Sequence, residues 1–80
     1  MTPSQARAAR AMLKLGVRDV AERAKVTPNT VSRVEQDEVG VRGPQPVTVA
    51  AIRRVYEDAG ILFIPENGGG AGVRLAKPKG

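Results

Sequence analysis

The sequence predicts a mainly α-helical domain of four helices that is followed by a C-terminal β-hairpin. Eighty residues allow one domain with a small core. Apolar residues recur at helical spacing through the first 60 residues, whereas Ile61–Ile64 is a strand-like run and Val73–Leu75 alternates apolar and polar residues. We therefore expect three segments: a helical domain over 1–60, a hairpin over 61–76 with a glycine-rich loop, and a flexible basic tail over 77–80.

The first helix is predicted from its start signals. Thr2 is a good N-cap, Pro3 suits the first helical position, and Gln5 lies at the capping-box position. The run from Ser4 to Leu15 is rich in Ala, Arg, Leu and Met, which are strong helix formers. Gly16 either ends this helix or caps the next one. The residues expected to face the core are Ala6, Ala9 and Leu13.

Two short helices with a tight turn between them are predicted next. The second helix covers Val17 to Lys25, and the third runs from Pro28 to about Asp37 or Glu38. Thr27 can cap the third helix, because its side chain can accept a backbone N–H bond, and Pro28 fits the first turn. The core-facing residues are expected to be Val20, Ala21, Ala24, Val31 and Val34.

The fourth helix is expected after a loop over residues 39–47 that glycines and prolines interrupt. Thr48 caps the predicted helix, which covers Val49 to Ala59, and Gly60 fits the position just beyond its C-terminus. Its core-facing residues are expected to be Val49, Ile52, Val55 and Tyr56.

Composition narrows the possible functions. The chain has no Cys and no His, so thiolate metal sites, cysteine nucleophiles and histidine bases are excluded. We expect no catalytic site, no metal site and no cofactor. The net charge of +5 favours a polyanionic partner, although a merely basic protein would have the same charge. The chain opens with Met1 and has no long apolar run, so we expect no signal peptide, no membrane association and a cytoplasmic location.

The third helix has a polar face that suits DNA. Asn29, Arg33 and Gln36 share one stripe, and Ser32 lies next to them. Arg is the commonest bidentate reader of guanine, and Asn or Gln reads adenine. Pro28 and Thr30, near the start of the helix, are placed for a thymine methyl or a phosphate. The alternative is an ordinary solvated helix face.

The segment DVAERAKVTPNTVSRVEQDE resembles the helix-turn-helix of lambda-repressor/Cro-type proteins, also called the xenobiotic-response-element family. The resemblance covers roughly residues 4–60. Ala21 fits the family's small residue in the first motif helix, and the core positions are matched by Val20, Val26, Val31 and Val34. The resemblance implies a four-helix lambda-repressor-like domain whose third helix enters the major groove of double-stranded DNA.

The resemblance also assigns roles to individual residues. Pro28, Asn29 and Arg33 fall on base-reading positions, and we add Ser32 beside them. The residues expected at the DNA backbone are Arg18, Thr27, Thr30, Gln36 and Arg42. In the family a partly buried ion pair joins the first and third helices at the positions of Arg10 and Glu35. Both residues lie at the edges of core-facing stripes, so periodicity supports a structural role for them.

Four positions depart from the family pattern: Lys14, Gly16, Val17 and Lys25. Lys25 stands where the turn usually has Gly, so it needs either a positive φ or an altered turn. Val17 stands where many members have a phosphate-contacting Gln, and we expect the neighbouring Arg18 to take over that contact.

Three roles are open for the hairpin. It can cover the helical core, because an isolated hairpin is marginal in water. It can form a dimer interface in which a strand edge pairs across a twofold axis. Its glycine-rich loop can be an anion-binding nest, although GGGAG lacks the spacing of a nucleotide-binding loop. The dimer interface, if the hairpin forms it, would include Ile61, Phe63, Ile64, Val73 and Leu75.

Together these observations predict a sequence-specific transcriptional regulator that reads a palindromic operator as a homodimer, through the helix at about residues 28–38. The alternative is an antitoxin or antiactivator that binds a protein partner and autoregulates its operon. An enzyme is not expected, because no nucleophile, acid–base pair or metal site is recognisable. Glu57 and Asp58 are adjacent and point to different parts of their helix.

Overall fold

A computed structural model describes residues 1–36, 44–66 and 68–75 of the chain. This part of the chain comprises four helices and one two-stranded antiparallel sheet: α1 Pro3–Met12, α2 Val17–Ala24, α3 Pro28–Val34, α4 Pro46–Asp58, β1 Ile61–Ile64 and β2 Gly72–Leu75. The mainly α-helical architecture with a C-terminal hairpin is therefore as predicted. In the described residues no helix has the length and apolar character needed to cross a membrane. The predicted tail, 77–80, lies outside the described residues.

Helix α1 begins at the predicted N-cap. The Thr2 side chain accepts from the Gln5 backbone N–H at 3.1 Å, and the Gln5 side chain accepts from the Thr2 N–H at 2.8 Å. The helix ends three residues before Leu15, the predicted end. Lys14 takes a positive φ of 56°, and the Leu15 N–H bonds back to the Arg10 carbonyl. This is a Schellman ending in which lysine takes the position that usually holds glycine.

Helix α2 starts and ends with tight local hydrogen bonds. Gly16 is its N-cap and donates its N–H to Asp19 Oδ2 at 2.8 Å. Lys25 has φ 60° and ψ 45°, so of the two alternatives, a positive φ or an altered turn, it takes the positive φ. The Val26 N–H returns to the Ala21 carbonyl at 3.0 Å, which gives α2 the same ending as α1.

Helix α3 is shorter than predicted. It covers seven residues and has its C-cap at Glu35, whereas the sequence pattern placed its end at Asp37 or Glu38. Helical periodicity continues past Val34, so the pattern alone cannot locate the end. At the observed end, the Glu35 carbonyl accepts a hydrogen bond from the Arg7 side chain of α1.

Helix α4 starts earlier than predicted. Its N-cap is Gln45 and its first residue is Pro46, so Thr48 lies inside the helix rather than at its cap. Proline is favourable at a first helical position because the N–H that it lacks would have no helical partner there. The helix ends at Asp58, and Gly60 follows with a φ of +100°, as expected for a residue beyond a C-cap.

The hairpin packs on the helices through one face. β1 pairs with β2 in the register Ile61↔Leu75, Leu62↔Arg74, Phe63↔Val73 and Ile64↔Gly72, so β2 begins one residue before its predicted start. Strand β1 contacts α4 and β2 contacts α1. The Phe63 ring lies 6.4 Å from the Tyr56 ring, centroid to centroid, and the Arg53 guanidinium lies 5.2 Å from the centre of the Phe63 ring.

One buried core joins all four helices and the hairpin; its members are Ala6, Ala9, Val20, Ala21, Val31, Val34, Ile52, Val55, Tyr56, Ile61 and Phe63. Ile61 and Phe63 are only 3% and 9% exposed, so their predicted place in a dimer interface is wrong. Strand alternation explains the correction, because these two side chains point to the face that covers the helices. Leu62, between them, points outward and is 40% exposed. Leu75, the partner of Ile61 in the sheet, is also 40% exposed.

A glutamine side chain joins α1 to the loop end of the hairpin. Gln5 is 6% exposed, and its Nε2 donates to the Ile64 carbonyl at 3.0 Å and to the Gly72 carbonyl at 2.9 Å. Its Oε1 accepts from Thr2, as described above. Every polar atom of this buried amide is therefore bonded, and the two strands are held to the start of α1.

Candidate nucleic-acid interface

Helix α3 has one buried and one exposed face. Val31 is fully buried and Val34 is 6% exposed, and both pack in the core. Asn29 and Arg33, four residues apart, are exposed. They therefore lie one above the other on a surface that points away from the core. Ser32, beside them, is half-buried.

The start of α3 is fixed by two threonines. Thr27 Oγ1 accepts from the Thr30 N–H at 3.2 Å, and the two hydroxyl oxygens lie 2.8 Å apart. One of the two hydroxyls donates its hydrogen to the other. The second hydroxyl hydrogen remains for a bond to another group. Pro28, between them, is exposed at the first helical position. The predicted base-reading and backbone residues at this end of α3 are thus neighbours.

The predicted ion pair joins α1 to the end of α3. Arg10 Nε donates to Glu35 Oε2 at 2.7 Å, and Arg10 Nη2 donates to Glu35 Oε1 at 2.9 Å, which is the bidentate geometry. The side chains are only 27% and 10% exposed, so solvent screens the pair less than it would at the surface. The hydrogen bond to Glu35 raises the pKa of Arg10, and burial opposes this. Arg10 also donates to the Leu15 carbonyl at 3.3 Å, where α1 ends.

A second arginine binds the same residue of α3. Arg7 Nη1 donates to the backbone carbonyl of Glu35, and Arg7 Nη2 donates to Ser4 Oγ at 3.1 Å. No role for Arg7 is predicted from the sequence. The signal was its spacing, because Arg7 precedes Arg10 by three residues and so lies on the same side of α1.

The residues of α2 divide between core and surface. Val17 packs against the core, so its side chain does not replace the glutamine of the family pattern. Arg18, the next residue, is exposed, as expected for a backbone contact. Lys25 is exposed at the turn before α3. The described chain therefore presents one exposed cation in the first turn of α2 and another in the turn between α2 and α3.

Two predicted backbone residues have different positions relative to this surface. Gln36 is exposed but lies beyond the end of α3, where its N–H bonds to the Arg33 carbonyl at 3.2 Å. It belongs to the turn after α3 rather than to its helical stripe. Arg42 lies outside the described residues.

Tyr56 is fully buried, and the charges of Glu35 and Arg10 act on it. Of the buried side-chain polar atoms in residues 1–36, 44–66 and 68–75, its hydroxyl is the one without a hydrogen-bond partner. Burial raises the pKa of Tyr56 to about 12; the negative charge of Glu35 adds to this, and Arg10 opposes it. The tyrosine therefore stays neutral at physiological pH and contributes its ring to the core.

Neither the protein-family models nor the curated proteins gave a match to the chain. Among the described residues, no three or more His, Cys, Asp or Glu residues lie together as metal ligands would. The candidate interface is therefore defined by its own residues: the exposed side of α3 with Arg18 and Lys25 beside it.

Proposed function

We propose that the protein is a sequence-specific double-stranded DNA-binding regulator of the lambda-repressor/Cro-type helix-turn-helix class. The observation that carries the proposal is the division of α3, in which Val31 and Val34 are buried while Asn29 and Arg33 are exposed. A short helix that is anchored on one side and polar on the other suits the major groove.

The dimensions of α3 agree with this role. Seven residues span about 10 Å at 1.5 Å per residue, and the major groove is about 12 Å wide. Asn29 and Arg33 are separated by about 6 Å along the helix axis, which is close to two base-pair steps of about 3.4 Å. In this proposal Arg33 pairs with a guanine and Asn29 with an adenine, with Pro28 and Ser32 beside them.

Charge supports an affinity for DNA that does not depend on sequence. The net charge is +5, and the exposed Arg18 and Lys25 precede α3 in the chain. Lys and Arg that neutralise phosphates release counterions, so binding should weaken steeply as salt rises. Thr27 and Thr30, with one hydroxyl hydrogen left to donate, suit a phosphate oxygen at the start of α3.

One copy of α3 reads too few base pairs for useful specificity, so the proposal includes a homodimer. Two copies would bind half-sites about 34 Å apart, one helical turn of DNA. Leu62 supports a contact through the outer face of the hairpin, because it points away from the helices and is 40% exposed. Sedimentation velocity with and without operator DNA tests the dimer directly.

The test of the function is selection of bound duplexes from a random pool. The proposal predicts a palindrome with half-sites one turn apart, and an affinity for it at least about a thousandfold above that for unrelated duplex. Recovery of unrelated sequences, bound with equal affinity, would show that the protein does not read sequence.

A further inference from the structure

We propose that Arg7 is a positioning residue for α3. It fixes where the helix ends, and with it the directions of Arg33 and Gln36, without contacting DNA. This inference rests on the proposed function, in which α3 reads bases.

The Arg7 guanidinium is held at two points. One nitrogen donates to the Glu35 carbonyl and the other to Ser4 Oγ, three residues earlier on α1. Arginine can make both bonds at once because its guanidinium is a planar fork of donors. Lysine, with one flexible ammonium group, has the charge but not this fixed geometry.

Helix α3 needs such a contact because it is short. Seven residues are too few for a helix that is stable on its own, and α3 packs chiefly against α2. Its last carbonyls have no partners within the helix. Arg7 supplies one partner at Glu35, and its positive charge is favourable at a helix C-terminus.

Arg7 and Arg10 restrain Glu35 in different ways. Arg10 binds the carboxylate, and the side chain between that carboxylate and the backbone has three rotatable bonds. Arg10 therefore restrains the backbone only through this flexible side chain, and adds little to the bonds that the Glu35 N–H makes to the last turn of α3. Arg7 binds the backbone carbonyl itself, so together they fix both ends of the residue.

The restraint acts on two predicted DNA contacts. Arg33 is two residues before Glu35, and Gln36 follows it directly. A bidentate contact to a base edge fails when a donor moves by about 1 Å, because hydrogen bonds require about 2.7–3.2 Å between heavy atoms. A contact to phosphate tolerates such a shift better, since much of it is charge attraction at longer range.

The experiment compares Arg7→Lys and Arg7→Gln with the matched variants Arg54→Lys and Arg54→Gln. Arg54 is exposed on α4 and has no assigned role in DNA binding. Dissociation constants are measured for the duplex that the unaltered protein selects and for a scrambled duplex, each over a series of salt concentrations. Arg7→Lys should lose about tenfold in affinity for the selected duplex, less than twofold for the scrambled one, and keep its salt slope. Arg54→Lys should change neither affinity.

A different pattern would overturn the inference. Equal weakening on both duplexes, with a salt slope smaller by about one for Arg7→Gln but not Arg54→Gln, would make Arg7 a phosphate contact. Unchanged affinity in Arg7→Lys would show that it does not position α3. Partial unfolding lowers both affinities by the same factor, so the ratio between duplexes remains diagnostic.

If the unaltered protein selects no sequence, the proposed function fails. Amide hydrogen exchange then still tests whether Arg7 restrains the end of α3. The amides of Glu35 and Gln36 bond to carbonyls of the last turn of α3. They should exchange at least about fivefold faster in Arg7→Lys than in Arg54→Lys. Equal exchange in the two variants would overturn the restraint.

Discussion

Replacing Gln5 with Met should destabilise the protein by about 2–3 kcal/mol. Methionine has a similar length but cannot make the three side-chain hydrogen bonds of Gln5, to Thr2, Ile64 and Gly72. Each such bond contributes about 1 kcal/mol net, and two strand carbonyls would lose their donor. Ile64 and Gly72 are half-buried, so water can reach their carbonyls in part and limits the loss of stability.

This loss is large for a chain of this length. A total stability of roughly 4–12 kcal/mol is expected for 80 residues, so the substitution removes a substantial part of it. The melting temperature should fall by roughly 10–20 °C. Urea unfolding followed by circular dichroism at 222 nm measures the free energy, and an unchanged slope with urea shows that the folded state is otherwise intact.

Gln45→Met is the matched control. Gln45 is exposed and makes no side-chain cap bond, so the same chemical change there should stay within about 0.5 kcal/mol. A loss in Gln5→Met no larger than in Gln45→Met would refute the role of Gln5 in holding the hairpin.

Three further predictions concern the core, the helix ends and the ion pair. Tyr56→Phe removes the unpartnered hydroxyl and should leave stability unchanged or raise it by up to about 1 kcal/mol at pH 8. Because the folded-state pKa of Tyr56 is raised to about 12, the stability linked to its protonation is present below the ordinary value of 10.0 and is lost as pH rises towards 12. Between pH 8 and pH 11 the urea midpoint of the unaltered protein should therefore fall further than that of Tyr56→Phe. Equal falls would contradict this. Lys14→Gly and Lys25→Gly relieve a left-handed residue and should each stabilise by about 0.5–1 kcal/mol in the same assay; destabilisation would show that the lysine side chains matter more than their backbone. A double-mutant cycle with Arg10→Met and Glu35→Gln should give a coupling free energy of about 1–2 kcal/mol, and a value near zero would show that the pair contributes nothing beyond its separate groups.

The local signals in the sequence predicted some helix ends and missed others, such as the start of α4, which was placed at Thr48. Thr2, Pro3 and Gln5 predicted the start of α1, and Gly60 predicted the end of α4, because capping depends on neighbouring residues alone. The ion pair of Arg10 and Glu35 was predicted from the family resemblance and from the edge positions of both residues. The edge positions follow from helix periodicity, which a single sequence displays directly, whereas the pairing of the two residues came from the resemblance.

Other features depend on contacts that sequence does not display. Gln5 is identifiable as a capping residue, but its bonds to Ile64 and Gly72 span 59 and 67 positions. The end of α3 depends on Arg7, which comes from another helix. Strand alternation put Ile61 and Phe63 on one face, yet which surface that face would cover required the packing of the hairpin on α1 and α4.

The central claim is that the exposed side of α3 reads bases, and Arg33→Ala tests it most directly. Affinities of the unaltered protein and of Arg33→Ala are measured against every single-base-pair variant of the selected half-site, with Arg54→Ala as the charge-matched control. The claim predicts a loss of about 1–3 kcal/mol and a loss of discrimination at one base pair in each half-site, with discrimination retained elsewhere. Arg54→Ala should retain discrimination at every base pair. Uniform weakening of Arg33→Ala on all duplexes, with discrimination unchanged, would contradict base reading by α3.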